Sequence, residues 1–135
     1  MILVDTSVWI EFFRRTSDLD MESVVELEDI VTCLPVIQEV LQGLDDERAY
    51  ALAREAMFAF PIVESPLSAE VFQLAVDLYR SARRSGLTVR SGVDCLIAAC
   101  ALRNSLAVLH RDRDFDALAR VSPLEVREWV PGIES

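Results

Sequence analysis

The amino-acid sequence predicts an α/β domain with a central, mainly parallel sheet of four to five strands flanked by helices. Short apolar runs alternate along the chain with stretches of helical periodicity, which is typical of this class. A length of 135 residues and a hydrophobic share of 52% suit one core. No repeat, low-complexity tract or linker divides the chain, so we expect a single domain over residues 1–135.

The first four elements are predicted in the order strand, helix, helix, strand. Apolar residues 2–4 predict a strand, and Asp5 is placed to cap a helix from residue 6 to about residue 15. That helix has apolar side chains at i, i+1, i+4 and i+5, which form one broad face. Residues 22–29 predict a second helix, and the β-branched run 30–34 predicts a second strand.

Three elements are predicted in the middle of the chain. Residues 35–43 predict a helix, because proline suits its first position and glycine its end. Three acidic residues begin the next predicted helix, which runs from residue 45 to about residue 58. Negative charge at a helix amino terminus stabilises the helix through its dipole. Residues 60–63 then predict a strand.

The last five elements complete the alternation. A long amphipathic helix is predicted over 68–85, ending at a glycine, and a second helix over 91–104. An apolar strand over 106–109 precedes a short helix over 112–120. A final strand near residues 125–129 closes the chain.

Composition limits the class of protein. No apolar run approaches the roughly 20 residues of a membrane-spanning helix, and the amino terminus lacks the pattern of a signal peptide. We therefore expect a cytoplasmic protein that makes no membrane contact. Cys33, Cys95 and Cys100 are odd in number and lack CxxC spacing, which argues against disulfides and a zinc cluster. Buried free thiols are the expectation.

The formal net charge of −10 argues against general nucleic-acid binding, which depends on basic side chains neutralising phosphates. All 13 basic residues are arginine, and several lie close to acidic residues in the sequence. Single arginines of this kind are usually solvated helix faces. The clustered arginines are Arg80, Arg83, Arg84, Arg90, Arg103, Arg111 and Arg113.

Acidic residues follow the predicted strands. Asp5 comes directly after the first strand, and Asp112 lies just beyond the strand over 106–109. Ligands of parallel α/β sheets bind at the carboxyl ends of strands, and carboxylates gathered there repel one another unless a cation neutralises them. Oxygen ligands favour Mg²⁺ or Mn²⁺ over zinc. The acidic positions, in order, are Asp5, Glu39, Asp94 and Asp112, with Asp114 and Asp116 behind the last.

Helix capping is the alternative explanation for three of these acids. Asp5 and Asp112 each precede a predicted helix, and residues 91–94 match the capping box [ST]-x-x-[DE]. Glu39 is different, because it lies inside a helix beside apolar residues and so needs a partner. Capping and metal ligation are compatible, since a helix amino terminus favours an ionised carboxylate.

Four segments together resemble a PIN domain and, more narrowly, the VapC-type toxins of bacterial VapBC toxin-antitoxin modules. The segments are residues 4–9 (VDTSVW), 35–43 (PVIQEVLQG), 89–99 (VRSGVDCLIAA) and 110–116 (HRDRDFD). The resemblance implies a PIN-like three-layer fold and an endoribonuclease that needs Mg²⁺, for which Mn²⁺ can substitute. Asp5, Glu39, Asp94 and Asp112 match the family's catalytic acids, and Asp5, Asp94, Asp112 and Asp114 are its expected metal ligands. Ser7, near the metal, and Asp116 are expected auxiliary residues.

The same resemblance implies two macromolecular partners and self-association. RNA is the expected substrate, and we expect contacts from Arg84, Arg90, Arg111 and Arg113. A VapB-type antitoxin is the expected inhibitor, with its carboxyl-terminal segment crossing a groove beside the site. Trp9, Phe12 and Phe13 are its expected apolar anchors, although at least two of them also suit an ordinary core. A homodimer is expected. His110 has no assigned role and is expected to be a hydrogen-bonded surface residue.

Two other functions remain open from the sequence. An Mg²⁺-dependent aspartyl-phosphate phosphotransferase also gathers acids at strand ends, but such enzymes normally use a lysine, and this chain has none. A nonenzymatic α/β interaction module, with the acids serving only as helix caps, is the second alternative.

Overall fold

The protein forms one five-stranded sheet in which all pairings are parallel. The computed structural model describes residues 1–13 and 25–129. The strands are β1 (Ile2–Val4), β2 (Ile30–Cys33), β3 (Ile62–Val63), β4 (Ala107–His110) and β5 (Val126–Glu128). Their order in the sheet is β3-β2-β1-β4-β5. The predicted parallel sheet is confirmed, and each strand lies where the sequence predicts it.

Six α-helices surround this sheet in the described part of the chain. They are α1 (Thr6–Phe13), α2 (Leu34–Gln42), α3 (Glu47–Ala59), α4 (Ala69–Arg84), α5 (Gly92–Arg103) and α6 (Asp114–Arg120). Of the helix predicted over 22–29, residues 22–24 lie outside the described ranges, and the described part forms only a single 3-10 turn, Leu27–Asp29. The turn stops there because Ile30 already adopts the extended backbone of β2. Residues 14 and 15 of the first predicted helix also lie outside the described ranges.

Side-chain caps fix where several helices begin. Asp46 accepts a hydrogen bond from the backbone N–H of Ala49 at 3.2 Å, and Ser68 accepts one from that of Val71 at 3.4 Å. Pro35 occupies the first turn of α2, where its missing N–H costs nothing. These boundaries follow from local chemistry, which is why the sequence predicts them well.

The strand order creates a crevice at the centre of the sheet. The chain runs outward from β1 to β3 in one direction and then from β4 to β5 in the other, so the order reverses between β1 and β4. Val4 and Leu109 are paired across this point, which brings the residues after both strands to one level. Right-handed crossovers in the two directions place helices on both faces of the sheet, giving three layers. Ligands of such sheets bind at this point of reversal.

The core lies between the sheet and its helices. Leu3, Val31 and Val108 from the sheet are buried against helical residues such as Ile97 and Phe115. Helix α4 packs mainly on α5, with Val71, Ala75, Leu78 and Ala82 turned inward. Among the described residues, no helix has the length and apolarity to span a membrane.

Candidate metal centre

Asp5 leaves the end of β1 and points into the central crevice. It is 2% exposed, and its Oδ2 accepts hydrogen bonds from the backbone N–H of Ser7 at 3.1 Å and from Ser7 Oγ at 2.6 Å. Its Oδ1 is buried and accepts no hydrogen bond from any described residue. Burial raises the pKa of Asp5 to about 6, although the two Ser7 bonds act in the opposite direction. One oxygen of Asp5 is therefore held in place and the other is available to a ligand.

Ser7 joins the two strands that border the crevice. Its hydroxyl donates to Asp5, and its oxygen accepts a hydrogen bond from the backbone N–H of Arg111 at 2.9 Å. Arg111 follows β4, so this one side chain ties the end of β1 to the end of β4. Because the hydroxyl proton is directed at Asp5, Ser7 positions that carboxylate. Its expected auxiliary role near a metal stays a prediction.

Asp94 lies in the first turn of α5 and is 4% exposed. Ser91 caps this helix by accepting a hydrogen bond from the backbone N–H of Asp94 at 3.4 Å. In a capping box the carboxylate would bind the N–H of Ser91 in return. Here Asp114 Oδ2 accepts that bond instead, at 3.3 Å, together with one from the N–H of Arg90 at 3.0 Å. The Asp94 carboxylate is thereby released, and its buried Oδ2 has no hydrogen-bond partner among the described residues.

Burial raises the pKa of Asp94 to about 9. A hydrogen bond with Asp112 and the negative charges of Asp5, Asp112 and Asp114 contribute to this rise. Asp94 is therefore a buried carboxyl group with three other carboxyl groups close enough to affect its charge. The environment of Asp94 is therefore that of a ligand for a positive ion.

Three carboxylates converge at this point. Asp94, Asp112 and Asp114 each offer an oxygen, and the three oxygens lie within 4.8 Å of one another. Asp112 Oδ1 accepts a hydrogen bond from the backbone N–H of Asp114 at 2.9 Å, as a residue at a helix start does. Asp5 is close enough for its charge to raise the pKa of Asp94. All four predicted metal ligands thus lie in one neighbourhood.

The capping alternative is correct for one oxygen of three of the four carboxylates. Asp5 Oδ2, Asp112 Oδ1 and Asp114 Oδ2 accept backbone N–H bonds, so each acid does brace a helix or loop start. Capping nevertheless uses one oxygen of each, and Asp94 caps nothing. Three converging carboxylates, one of which has a buried oxygen without a described partner, exceed what capping needs. The oxygen-only donor set fits a hard divalent cation, with Asp5, Asp94, Asp112 and Asp114 able to hold it.

Glu39 stands at the edge of this group. It is half-buried on α2, and its Oε1 accepts a hydrogen bond from Thr6 Oγ1 at 2.9 Å. Its negative charge contributes to the raised pKa of Asp5, which places it beside that carboxylate rather than among the three converging ones. The sequence predicted that Glu39 needs a partner, and the structure shows that this partner is Thr6. Thr6 lies between Asp5 and Ser7, and this position in the first acidic segment was the only signal for it.

The predicted RNA-binding arginines differ in their surroundings. Arg111 is engaged, since its Nη1 lies 2.9 Å from Glu11 Oε2 and its Cζ lies 4.8 Å from the ring centre of Trp129. Arg90 is 62% exposed, with its Nε 3.9 Å from Asp114 Oδ1. Arg84 is exposed at the end of α4.

A groove of about 310 Å³ beside the carboxylates is lined by Arg90, Arg113, Asp114, Asp116 and Arg120, with Leu87, Thr88 and Ala117. Arg120 lines this groove as well, although the sequence did not single it out because it lies past the acidic motif.

The expectation of a surface position for His110 is wrong. Its side chain is fully buried, its Nδ1 accepts a hydrogen bond from the backbone N–H of Asp112 at 3.1 Å, and its ring packs on Phe115. Its Nε2 lies 3.5 Å from Oδ1 of Asp116, an acid whose side chain is half exposed. Burial lowers the pKa of His110, so it stays neutral and shapes the loop that carries Asp112.

The three predicted antitoxin anchors are not equivalent. Trp9 is buried at 2% exposure and packs on Phe13 and Phe60, as the core alternative predicts, and its contact with an antitoxin stays a prediction. Phe12 and Phe13 are only partly buried at the edge of the core. The three cysteines are free and buried, as predicted.

Comparison with known proteins agrees with this geometry. A family model described as the PIN domain matches residues 2–121. The chain is 38% identical over 134 residues to Ribonuclease VapC11 of Mycobacterium tuberculosis, covering 96% of this chain and 99% of that protein. A VapC ribonuclease of Mycobacterium bovis is equally similar, at 38% identity with the same coverage.

Solved structures share the fold. VapBC-1 from nontypeable Haemophilus influenzae matches with a TM-score of 0.72 at 15% identity, covering 96% of this chain and 98% of that one. FitAcB from Neisseria gonorrhoeae matches with a TM-score of 0.68 at 22% identity, covering 93% and 96%. The predicted resemblance is confirmed: the chain belongs to the PIN-domain family and, within it, to the VapC-type ribonucleases.

Proposed function

We propose that this protein is a cytoplasmic, divalent-metal-dependent endoribonuclease toxin held inactive by a VapB-type antitoxin. The observation that carries the proposal is the convergence of Asp94, Asp112 and Asp114, together with a buried oxygen of Asp94 that has no described partner. The 38% identity to proteins named VapC ribonucleases supports RNA as the substrate.

The residues divide into ligands and positioning groups. Asp5, Asp94, Asp112 and Asp114 are the proposed ligands of Mg²⁺, with Mn²⁺ as a substitute. When bound, such an ion supplies charge neutralisation at phosphate oxygens and lowers the pKa of a water molecule. Ser7 orients Asp5, and Asp114 also holds the start of α5 through the N–H groups of Arg90 and Ser91.

The proposed reaction is hydrolysis of an RNA phosphodiester. A bond forms between water oxygen and phosphorus, and one ester P–O bond breaks. We assign Glu39 Oε2 as acceptor of the water proton, because Oε1 is held by Thr6 and the carboxylate stands beside Asp5. The leaving oxygen takes a proton from solvent. The reaction needs no nucleophilic side chain.

RNA contact is proposed for the groove beside the carboxylates. Arg90 and Arg113 line it with Arg120, and they supply local positive charge on a chain of net charge −10. Arg111 is already paired with Glu11, so its replacement by Gln is expected to change RNA affinity less than Arg113→Gln does. Salt dependence of RNA binding measures the difference, and a flatter slope is expected for Arg113→Gln.

The antitoxin is proposed to act at the same place. Phe12 and Phe13, which are only partly buried, are the most accessible of the predicted apolar anchors. A basic antitoxin side chain that reaches the carboxylates would compete with the metal for the same charges. The peptide and Mn²⁺ are therefore expected to bind with negative coupling. Titration of antitoxin peptide at several Mn²⁺ concentrations tests this, and equal affinity throughout would place inhibition elsewhere.

The experiment that tests the activity uses purified protein freed of antitoxin. It is incubated with total RNA with and without Mg²⁺, and the cut ends are mapped. We expect discrete cuts that require the ion. Asp45→Asn, at an exposed acid outside the site, is the matched control and should cleave normally. Cleavage that persists in EDTA, or none under any divalent ion, would contradict the proposal.

A further inference from the structure

The groove beside the metal centre has two walls. One wall is a single face of α6 and the residue before it, because Arg113, Asp116, Ala117 and Arg120 recur at intervals of three and four residues. The other wall is the segment between α4 and α5, from which Leu87 lines the groove. Leu87 and Ala117 are half-buried, so each wall offers one apolar side chain. The volume of about 310 Å³ is at the small end of the range for ligand pockets.

Two opposite charges on this face of α6 are open to the groove. Asp116 and Arg120 are four residues apart, a spacing at which such side chains often pair, yet no ion pair joins these two described residues. Asp116 instead has the buried His110 behind it, with Nε2 3.5 Å from Asp116 Oδ1. His110 Nδ1 accepts the N–H of Asp112, so the proton of the neutral imidazole is on Nε2 and faces this carboxylate. The other oxygen of Asp116 and the guanidinium of Arg120 remain for a ligand that has both donors and acceptors.

We propose that the groove binds one guanine base of the RNA, with Asp116 accepting from N1–H and N2–H and Arg120 donating to O6 and N7. The inference rests on the proposed ribonuclease function and names the base that the site selects. Guanine offers two adjacent donors to a carboxylate and two adjacent acceptors to a guanidinium at the same time. A rise of about 6 Å along the helix separates Asp116 from Arg120, which is comparable with the length of a purine. Leu87 and Ala117 then contact the two faces of the base.

The other three RNA bases fit these two charged groups less well. Adenine has an acceptor at N1 where guanine has a donor, so it offers the carboxylate only its amino group. Cytosine likewise offers one amino group, and uracil offers one ring N–H. Each of these bases leaves at least one of the two charged side chains with a single hydrogen bond or none.

The groove begins at the metal centre, because Asp114 belongs to the three converging carboxylates and also lines the groove. A base in the groove is therefore close to a phosphate at the metal. Asp116 is not one of the three converging carboxylates, so it can accept from a base without giving up a metal bond. Arg113 lies between the proposed ligands Asp112 and Asp114, and we assign it to the RNA backbone and not to the base.

Equilibrium binding of hexaribonucleotides tests the proposal without relying on cleavage. The antitoxin-free Asp94→Asn protein is used, because it should leave the RNA intact. The probes are uridine hexamers with one central guanine, inosine, 7-deazaguanine or adenine. Guanine should bind about 5- to 150-fold more tightly than adenine. Inosine lacks the N2 amino group and should lose the contact with Asp116, whereas 7-deazaguanine lacks N7 and should lose a contact with Arg120.

Two further substitutions in this protein separate the contacts. Asp116→Ala should abolish the preference for guanine over inosine, and Arg120→Ala should abolish the preference for guanine over 7-deazaguanine. Asp45→Ala and Arg48→Ala change exposed residues outside the groove and are the matched controls, so both preferences should survive in them. In the otherwise wild-type protein, Asp116→Ala should leave the Mn²⁺ affinity unchanged. A loss of Mn²⁺ affinity would make Asp116 a metal ligand and contradict the proposal.

Mapped cuts separate this proposal from the proposed activity. Wild-type protein with Mg²⁺ should cut total RNA with guanine at one fixed position beside the cut. Guanine-selective binding by a protein that cuts no RNA would support the guanine site and contradict the ribonuclease activity. Equal affinity for the four hexamers, a preference for another base, or no binding would overturn the guanine site, even where RNA is cut. Selectivity that persists in both alanine variants would overturn it too.

Discussion

The turn after β1 and the start of α5 each bury one carboxylate, yet they treat it differently. Asp5 and Asp94 are both nearly inaccessible, and each has one buried oxygen without a described partner. Ser7 gives Asp5 two hydrogen bonds, and burial with these bonds leaves its pKa at about 6. Burial raises the pKa of Asp94 to about 9, and its acidic neighbour Asp112 acts in the same direction, whereas the donor Ser7 lowers the pKa of Asp5. Local donors, more than depth, decide which carboxylate keeps its proton.

The two carboxyl groups therefore differ in their protonation before a metal binds. Asp5 is prepared as an anion, fixed by Ser7 before any ligand arrives. Asp94 becomes an anion only when a cation offsets the surrounding charge. The carboxylates at the site repel one another in the metal-free protein, and a bound cation would reduce this repulsion.

The largest expected effect is on cleavage. Asp94→Asn removes a charged ligand while preserving shape, and RNA cleavage should fall at least about a hundredfold, since even outer-shell changes cost 10- to 100-fold. Asp5→Asn should have the same effect. Rates are measured on one mapped RNA at saturating Mg²⁺. Wild-type rates in both variants would show that the site is wrongly assigned.

The next effect is on stability without metal. The pKa of Asp94 is raised from 3.8 to about 9, so the folded protein binds its proton more tightly than the unfolded chain. The resulting stabilisation is complete below pH 3.8 and is lost as pH rises through about 9. Asp94→Asn removes this loss, and its melting temperature in EDTA at pH 8 should exceed that of the wild type by about 5 °C. Asp5→Asn should raise the melting temperature less. If the melting temperatures of the wild type and Asp94→Asn change in parallel with pH, the difference drawn between Asp5 and Asp94 is wrong.

The smallest effect separates positioning from capping. Ser7→Ala removes the hydroxyl group that donates a hydrogen bond to Asp5. It should raise the pKa of Asp5 further and weaken Mn²⁺ binding about tenfold. Ser91→Ala is the control, because it removes the cap of α5 and costs about 1 kcal/mol of stability without touching Asp5. The Mn²⁺ affinities of the Ser7→Ala and Ser91→Ala variants, measured by calorimetry, distinguish positioning of Asp5 from helix capping. Equal affinities in the two variants would mean that Ser7 acts only structurally.

Sequence alone predicted the parts that rest on local chemistry. Apolar runs bounded by caps, Pro35 and glycines located the strands and most helices, because each signal acts within a few residues. The acidic positions were found because they follow strands. Their grouping depends on the strand order, which brings the ends of β1 and β4 together and which local pattern does not contain.

Long-range pairings account for what the sequence did not predict. The exchange of capping partners, in which Asp114 rather than Asp94 binds the N–H of Ser91, joins residues 23 positions apart. The burial of His110 depends on Phe115 and the acidic loop folding over it. The Thr6 to Glu39 bond joins two helices. Such contacts become visible only when the elements are packed.

The most direct measurement is the number of protons released when Mn²⁺ binds. Isothermal titration calorimetry of the antitoxin-free protein at pH 7, in buffers of different ionisation enthalpy, gives this number. Since Asp94 holds its proton at that pH, wild-type protein should release about one proton on binding the ion, and Asp94→Asn should bind more weakly and release fewer. Mn²⁺ binding with no net proton release, or no binding at all, would contradict a site built around Asp94.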